Sequence, residues 1–263
     1  MRGGWRAAPG VNEVPRIGIV SALHDELAAV LQRLPDEQRE PVAGRDFWCG
    51  HWHGHALVAV LARVGKVAAA TTATILIERF GVDRIVFTGV AGGLAAHVRV
   101  GDLMLARELL QHDMDASPLF ARHEVPLYGR ARFATDAALS DALARAAQAV
   151  LARPEATLGA GVTREFALHA ARLHQGLVVT GDRFVAAAAD SAALRVALPD
   201  ALAVEMEGAA VAQVCHDYGL PFAALRTISD RADDSAHVDF SRFVARVASP
   251  VSAAVLEAYF QSL

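Results

Sequence analysis

The sequence has little cysteine and lysine, and no excess of positive charge. Cys49 and Cys215 are the only cysteines among 263 residues, which is too few, and too widely spaced, for a disulfide framework or a CxxC metal site. Lys66 is the only lysine among 25 basic residues, and the net charge is −4. A broad nucleic-acid surface needs a basic stripe, so this composition argues against one.

Long apolar runs are also missing. No segment reaches the roughly 18 to 20 unbroken apolar residues of a transmembrane helix. Met1–Pro15 carries arginines but lacks the apolar centre of a secretory signal, so we predict a disordered extension ahead of a domain at 16–263. With 54% hydrophobic and 21% charged residues, the chain is typical of globular proteins. We therefore expect a cytoplasmic location.

Short apolar runs alternate with segments of helical periodicity along the chain. The predicted strands are 16–20, 47–52, 56–61, 84–88, 102–111, 157–162, 177–180 and 222–228. The predicted helices are 25–33, 66–80, 135–151, 191–197, 203–218 and 241–260, with an irregular loop at 113–133. Without a linker or a break in composition, this alternation predicts a single α/β domain with a central mixed, mostly parallel twisted sheet flanked by helices.

Polar residues or glycines follow several of the predicted strands, where ligands of α/β folds bind. The four segments concerned are Ser21–Glu26, Thr88–Gly93, Val204–Gly208 and Thr227–Asp230. Each has a simpler explanation, because acids favour the first turn of a helix, Ser and Asp cap helices, and glycines form tight turns. The glycine segment matches neither GxGxxG nor a Walker loop. No single segment identifies an activity.

In this order, however, the four segments resemble those of the 5′-methylthioadenosine/S-adenosylhomocysteine nucleosidases of the nucleoside phosphorylase superfamily. The resemblance covers nearly the whole chain from Ile17 and includes IGIVSALHDEL, RVGKVAAA, TGVAGGL, VTGDRFV, AVEMEGAAVAQVCHDYGLPF and RTISDRADD. VEMEGAA and SD are specific for the superfamily, whereas HDEL and AGGL favour the nucleosidases. The resemblance implies a nucleosidase fold that hydrolyses the N-ribosidic bond of 5′-methylthioadenosine, S-adenosylhomocysteine or 5′-deoxyadenosine. It also implies a homodimer, with no cofactor and no metal.

The same resemblance gives individual residues their expected roles. Glu26 matches the base that activates water, Asp230 the acid that protonates adenine N7, and Glu207 the acceptor of the ribose hydroxyls. The other implied substrate-binding residues are Ala91, Gly92, Phe184, Val185, Glu205, Met206, Ser229 and Phe240. In the family, a loop of the neighbouring subunit closes over the 5′ substituent. Here Leu119, Phe120 and Pro126 are the candidates for that lid.

Some positions depart from the family and leave alternatives open. Val90 stands where the family usually has serine, and Arg63 stands where the nucleosidases often have glycine. Arg63 keeps a phosphorolytic relative open, because phosphate needs cationic donors. Phe87 argues against it, since phosphorylases place an arginine just before their glycine run. A futalosine-hydrolase-like relative also stays open, the 5′ substituent is not fixed, and Lys66 receives no role.

Two further classes of protein are weaker alternatives. A non-catalytic purine-binding protein has no need of Glu26, Glu207 and Asp230 together. A metalloenzyme built on His51, His53 and His55 is disfavoured because Gly54 indicates a turn among them and no carboxylate cluster adjoins them. The group His112, Asp113 and Asp115 is better explained as loop capping. We therefore predict no metal site.

Overall fold

The computed structural model describes residues 15–232 and 240–263, so the predicted extension lies, apart from Pro15, outside the described residues. The strands are β1 Arg16–Ser21, β2 Gln38–Val42, β3 Arg45–Trp52, β4 His55–Leu61, β5 Arg84–Gly93, β6 Leu103–Gln111, β7 Arg132–Ala134, β8 Leu173–Thr180, β9 Ala201–Glu205 and β10 Phe222–Asp230. The helices are α1 His24–Leu31, α2 Lys66–Phe80, α3 Ala137–Leu151, α4 Pro154–Glu165, α5 Ala188–Ala197, α6 Gly208–Tyr218, α7 Phe240–Phe243 and α8 Ser249–Phe260. A 3₁₀ turn covers Leu168–Ala170, and a π-helical turn, Val244–Ala248, joins α7 to α8.

The ten strands form one sheet that closes on itself over part of its width. Strand β10 pairs with both β5 and β6, so that β5, β10, β6, β8 and β9 form a ring, while β1, β4, β3 and β2 extend outward from β5. Of the strand pairings that these described residues make, five are parallel and five antiparallel. The single mixed α/β domain is therefore confirmed, although parallel pairings are not the majority.

Helices cover both faces of this sheet. Alanine-rich α2 and α6 pack on one apolar cluster, where Ala73, Leu76 and Cys215 are buried. Helices α1, α3 and α8 pack on the other cluster. Glycines bound α2, since Gly65 precedes it with φ +98° and Gly81 ends it with φ +63°, a left-handed conformation that glycine adopts at little cost.

The C-terminal helix, Phe240–Phe260, belongs to this core. Within the described ranges it is the one helix long and apolar enough to cross a membrane, with a mean hydropathy of 1.3, but 67% of that window is buried inside the protein. Phe260 stacks on Trp52 with ring centroids 5.0 Å apart. Such burial is typical of a core helix, so its composition is weak evidence for a membrane span.

The predicted strand at 157–162 is wrong, because the segment lies in α4. Pro154 occupies the first turn, where the missing N–H costs nothing, and Gly159 with φ +76° kinks the helix. Thr163 is the only buried residue of α4, so the apolar residues at 157–162 do not mark a buried strand. Likewise 203–205 belong to a strand, and the helix begins only at Gly208.

Strands β2, β7 and β9 are missing from the sequence prediction, whereas the turn expected at Gly54 is present. Strand β2 is an exposed edge strand that contains Pro41, and β7 has three residues within the predicted loop. Between β3 and β4, His53 and Gly54 have φ values of +48° and +82°. Two successive positive φ values are typical of a two-residue hairpin turn.

Candidate active site

A cavity of about 380 Å³, the size of a small-molecule site, opens at the carboxyl ends of β1, β5, β9 and β10. It brings together residues from all four of the predicted polar segments and from the loops that follow β4 and β8. Ten residues singled out from the sequence line it: Ala91, Gly92, Phe184, Val185, Glu205, Met206, Glu207, Ser229, Asp230 and Phe240. No individual site role was predicted for the lining residues Ala22, Leu23, Val64, Arg183 and Val204.

Glu26 lies just behind the cavity wall rather than in it. Its Oε2 accepts hydrogen bonds from the backbone N–H groups of Ala22 (3.1 Å) and Leu23 (3.0 Å), and both of these residues line the cavity. These hydrogen bonds also cap the start of α1. Oε2 of Glu26 therefore has the structural role expected of an acid in the first turn of a helix. The other, Oε1, is buried and receives no hydrogen bond from any described residue.

Burial changes the acidity of Glu26. The side chain is 1% exposed, and desolvation raises its pKa to about 7, against smaller lowering effects from the Leu23 N–H and the charge of Arg226. A carboxylate with a pKa near neutrality can exchange a proton at physiological pH.

Asp230 stands at the end of β10, directly on the cavity. Its Oδ2 accepts a hydrogen bond from the Ser229 hydroxyl and its Oδ1 accepts one from the Ala232 N–H, both at 2.7 Å. The pairing of β10 with β5 shifts register between Ile228 and Asp230, and such an irregularity re-aims a side chain. A Cβ on Gly92 would lie 2.9 Å from Asp230 Oδ1, so only glycine lets β5 pass this close to the carboxylate.

Glu205 borders the same cavity, but protein donors occupy its carboxylate. Arg226 Nη2 lies 2.8 Å from Glu205 Oε2, with both side chains almost fully buried. The Thr180 hydroxyl and the N–H groups of Glu207 and Gly208 also donate to this carboxylate. We therefore separate Glu205 from the predicted substrate-binding residues, because it orients its neighbours instead.

The buried pair of Glu205 and Arg226 positions Glu207, because the Glu207 N–H donates to Glu205. Its Oε1 accepts a hydrogen bond of 2.9 Å from the Gly65 N–H, ahead of α2. Burial, and then the negative charge of Glu205, raise the pKa of Glu207. That bond holds Oε1, and the residue lines the cavity. The side chain can therefore accept hydrogen bonds from a ligand.

The remaining predicted contacts form apolar walls. Val185 is buried, whereas Phe184 is 44% exposed at the mouth. Phe240 and Met206 complete the lining from α7 and from the turn after β9. Rings and aliphatic side chains of this kind suit a planar base and the carbon face of a sugar.

Lys66 gains a role from the structure. Its ammonium lies 2.6 Å from Asp113 Oδ1, and its backbone N–H donates to Asp182 Oδ1 at 2.8 Å. The Asp182 N–H in turn donates to Asp113 Oδ2. The lysine thus joins the start of α2, beside the Gly65 N–H that holds Glu207, to the loops after β6 and β8.

Two of the three histidines around the β3–β4 hairpin have carboxylate partners instead of a shared ligand. His51 Nδ1 lies 2.7 Å from Asp36 Oδ2, and His53 Nε2 lies 2.5 Å from Glu257 Oε1. The ring of His55 faces Phe260. Over residues 15–232 and 240–263, no group of three or more metal-ligating side chains is close enough to hold an ion.

The candidate lid residues do not line the cavity within this single chain. Leu119 is 84% exposed, and Phe120 and Pro126 are partly exposed on the loop between β6 and β7. The expectation for them concerns a partner subunit, so it stays a prediction.

Comparisons with known proteins agree in family and fold. The family described as the phosphorylase superfamily matches residues 16–261. A 5′-methylthioadenosine/S-adenosylhomocysteine nucleosidase of Shewanella denitrificans is 33% identical over 229 residues, which are 87% of this chain and 92% of the relative. The crystal structure of the nucleosidase of that name from Neisseria meningitidis, in complex with methylthio-immucillin-A, has a TM-score of 0.82 and 32% identity, and the match covers 94% of this chain and 99% of that one. A futalosine hydrolase of Helicobacter pylori has a TM-score of 0.80 at 32% identity, over 95% of this chain and 99% of that one.

Proposed function

The chain belongs to the 5′-methylthioadenosine/S-adenosylhomocysteine nucleosidase family of the phosphorylase superfamily, and from this premise we propose how its cavity cleaves an adenine nucleoside. The enzyme is an N-glycosyl hydrolase that releases adenine. One observation carries the proposed mechanism: two buried carboxylates have different hydrogen-bond environments at one cavity, with Asp230 on its surface and Glu26 just behind its wall. Two such groups can perform opposite proton transfers.

Asp230 acts as the general acid. Adenine leaves poorly as an anion, so a proton delivered to N7 lowers the barrier to cleavage. The Ser229 hydroxyl and the Ala232 N–H hold one carboxylate oxygen each, which fixes the direction in which Asp230 faces. Phe184 stacks on the purine, and the backbone of Val185 bonds to its edge.

Glu26 acts as the general base. As the bond to adenine breaks, the sugar gains oxocarbenium character and water attacks its anomeric carbon. Backbone N–H groups fix Glu26 Oε2, which leaves Oε1 to orient the water and take its proton. The negative charge near the ring stabilises a cation that exists mainly in the transition state.

Glu207 binds the ribose hydroxyls. The Gly65 N–H holds its Oε1, and the side chain lines the cavity beside the ligand. Met206 and Phe240 pack against the sugar. Glu205 and Arg226 position Glu207 through the backbone hydrogen bond from Glu207 to Glu205.

Water is favoured over phosphate as the nucleophile. Arg183 is the only basic side chain among the described residues that line the cavity, and it already forms an ion pair with Asp190. A phosphate dianion needs several cationic or N–H donors. Arg63 lies outside this cavity, in a neighbouring groove.

The substrates follow from the relatives. We propose that the chain hydrolyses 5′-methylthioadenosine, S-adenosylhomocysteine and 5′-deoxyadenosine, with futalosine as the second candidate because a futalosine hydrolase has nearly the same fold. The test is release of the purine base from each nucleoside by the purified protein, quantified by chromatography: adenine from the first three and hypoxanthine from futalosine. Release from the first three supports the proposal, and release from futalosine alone would replace it with the second candidate.

We also propose a cytoplasmic homodimer whose lid comes from the partner. Leu119, Leu127 and Val67 are highly exposed apolar side chains, as expected for a surface that another chain covers. Light scattering should give twice the chain mass of 27.8 kDa. A monomer with full activity would contradict the shared lid.

The fall of kcat/KM at acidic pH should follow the protonation of Glu26. A base works only when deprotonated, and the pKa of Glu26 is raised to about 7 by burial. We therefore expect log kcat/KM for adenine release to fall with a slope near one below about pH 7 and to level above it. The measurement is initial rates between pH 5 and pH 9 at constant ionic strength. A rate that stays flat down to pH 5 would contradict a base with this pKa.

A further inference from the structure

A second cavity adjoins the active site along two edges. It lies between α1 and strands β3 and β4, and we call it the outer groove; Asp25, Ala28, Arg45, Trp48 and Arg63 are among its lining residues. Leu23 and Val64 line the active-site cavity, while their chain neighbours His24 and Arg63 line the outer groove. Neighbouring Cα atoms are about 3.8 Å apart, so the two cavities border the same two chain segments.

The outer groove carries charges of both signs. Arg63 donates through Nη2 to the Gly44 carbonyl, and no other hydrogen bond or ion pair of its guanidinium involves a described residue. Asp25 likewise has no hydrogen-bond or ion-pair partner in the described ranges. By contrast, Asp46 is paired with Arg39 at 2.9 Å. One cationic and one anionic side chain are thus available to a ligand.

Arg45 reinforces the positive end. Its guanidinium donates to the Thr72 hydroxyl at 2.8 Å and to the carbonyls of Ala43 and Ala68 at 3.2 Å, so its position is fixed. Burial, and then the positive charge of Arg63, lower the pKa of Arg45. The two positive guanidinium groups therefore repel one another. An anion bound next to both of them would reduce that repulsion.

The backbone at Arg63 strengthens the case for a ligand. Arg63 has φ +65°, the left-handed conformation that glycine adopts at little cost and other residues do not. An arginine at such a position costs free energy of folding, and strained residues of this kind cluster at functional sites. Two residues later, the Gly65 N–H holds Glu207, so the strained position stands next to the ribose-binding group.

Apolar side chains lie where the active-site cavity borders the outer groove. Leu23 and Val64 line the first cavity next to His24 and Arg63, which line the second. A methylthio group ends among these apolar side chains. A homocysteinyl group continues past them and ends in an ammonium and a carboxylate.

We propose that the outer groove binds the amino-acid end of a 5′-homocysteinyl substituent, with Arg63 pairing with the carboxylate and Asp25 with the ammonium. This subsite rests on the nucleosidase function proposed above. It favours S-adenosylhomocysteine over nucleosides whose 5′ substituent is short and uncharged.

Arg63 is the residue to vary, because Asp25 also acts on the pKa of Glu26. R63Q keeps a Cβ at φ +65° and removes only the charge, while R63K restores the charge. R79Q is the matched control, since Arg79 is an exposed arginine paired with Glu40 and lines neither cavity. The readout is the ratio of kcat/KM for S-adenosylhomocysteine to kcat/KM for 5′-methylthioadenosine.

We expect R63Q to lower this ratio about three- to tenfold, R63K to recover most of it, and R79Q to leave it unchanged. The loss should shrink as salt is added, because Arg63 is exposed. For an analogue with an aminopropyl tail, which lacks the carboxylate, R63Q and the native enzyme should not differ.

Two contrary results are distinguishable. If the native enzyme hydrolyses both nucleosides but R63Q leaves the ratio unchanged, the outer groove does not bind the tail and the nucleosidase function stands. If neither nucleoside releases adenine, the proposed function fails and this inference fails with it.

Discussion

Replacing Asp230 with asparagine is expected to lower kcat for adenine release by about 10² to 10⁴, the usual contribution of a general acid. Asparagine has nearly the same shape but carries no proton that it can give to adenine N7. Both carboxylate oxygens of Asp230 are already fixed by the Ser229 hydroxyl and the Ala232 N–H, so the main loss is chemical rather than one of position. Initial rates with saturating 5′-methylthioadenosine measure it.

Two comparisons make this result specific. D200N changes an exposed aspartate that pairs with Arg132 on the surface, and it should keep the native rate. S229A should lose less than D230N, because it removes one orienting hydrogen bond and leaves the acid. A D230N enzyme that turns over near the native rate would exclude Asp230 as the acid.

Replacing Glu26 with glutamine should have an effect of similar size on kcat/KM, about 10² to 10⁴, because an amide cannot take a proton from water. Glutamine Oε1 can still accept the N–H groups of Ala22 and Leu23, so the start of α1 is preserved. E37Q, at an exposed glutamate, is the matched control. Near-native turnover by E26Q would remove Glu26 from the mechanism.

The same variant should be more stable than the native protein at alkaline pH. The folded-state pKa of Glu26 is raised from 4.5 to about 7 by burial. The folded state therefore loses stability as the pH rises from 4.5 through 7, because the charged form is buried there at a cost. E26Q removes that cost, by up to about 3 kcal/mol at pH 8 and by little below pH 4.5. Thermal unfolding at both pH values measures it, and equal Tm differences at the two would contradict a raised pKa.

The sequence indicated which residues meet at the cavity better than it indicated how the strands pair, and the reason lies in how local each signal is. Val204–Gly208 and Thr227–Asp230 each carry their polar groups within one contiguous segment at a strand end, so a pattern along the chain finds them. Closure of the ring depends on β10 pairing with both β5 and β6, a contact between distant segments that no local pattern records.

Contacts between residues that are far apart in the sequence were not predicted, for the same reason. Glu205 was grouped with the substrate contacts, yet it is saturated by Arg226, which lies 21 residues away, and by Thr180. Lys66 had no assigned role until the structure brought it to Asp113 and Asp182. The proposed lid at Leu119 and Phe120 depends on a second chain, and a contact between subunits leaves no local pattern along one chain.

The most direct test of the account is adenine release from 5′-methylthioadenosine in phosphate-free buffer, repeated with phosphate added. Water activated by Glu26 should give the full rate without phosphate, with a free 5-methylthioribose product. Strict dependence on phosphate, with a sugar 1-phosphate as product, would contradict hydrolysis.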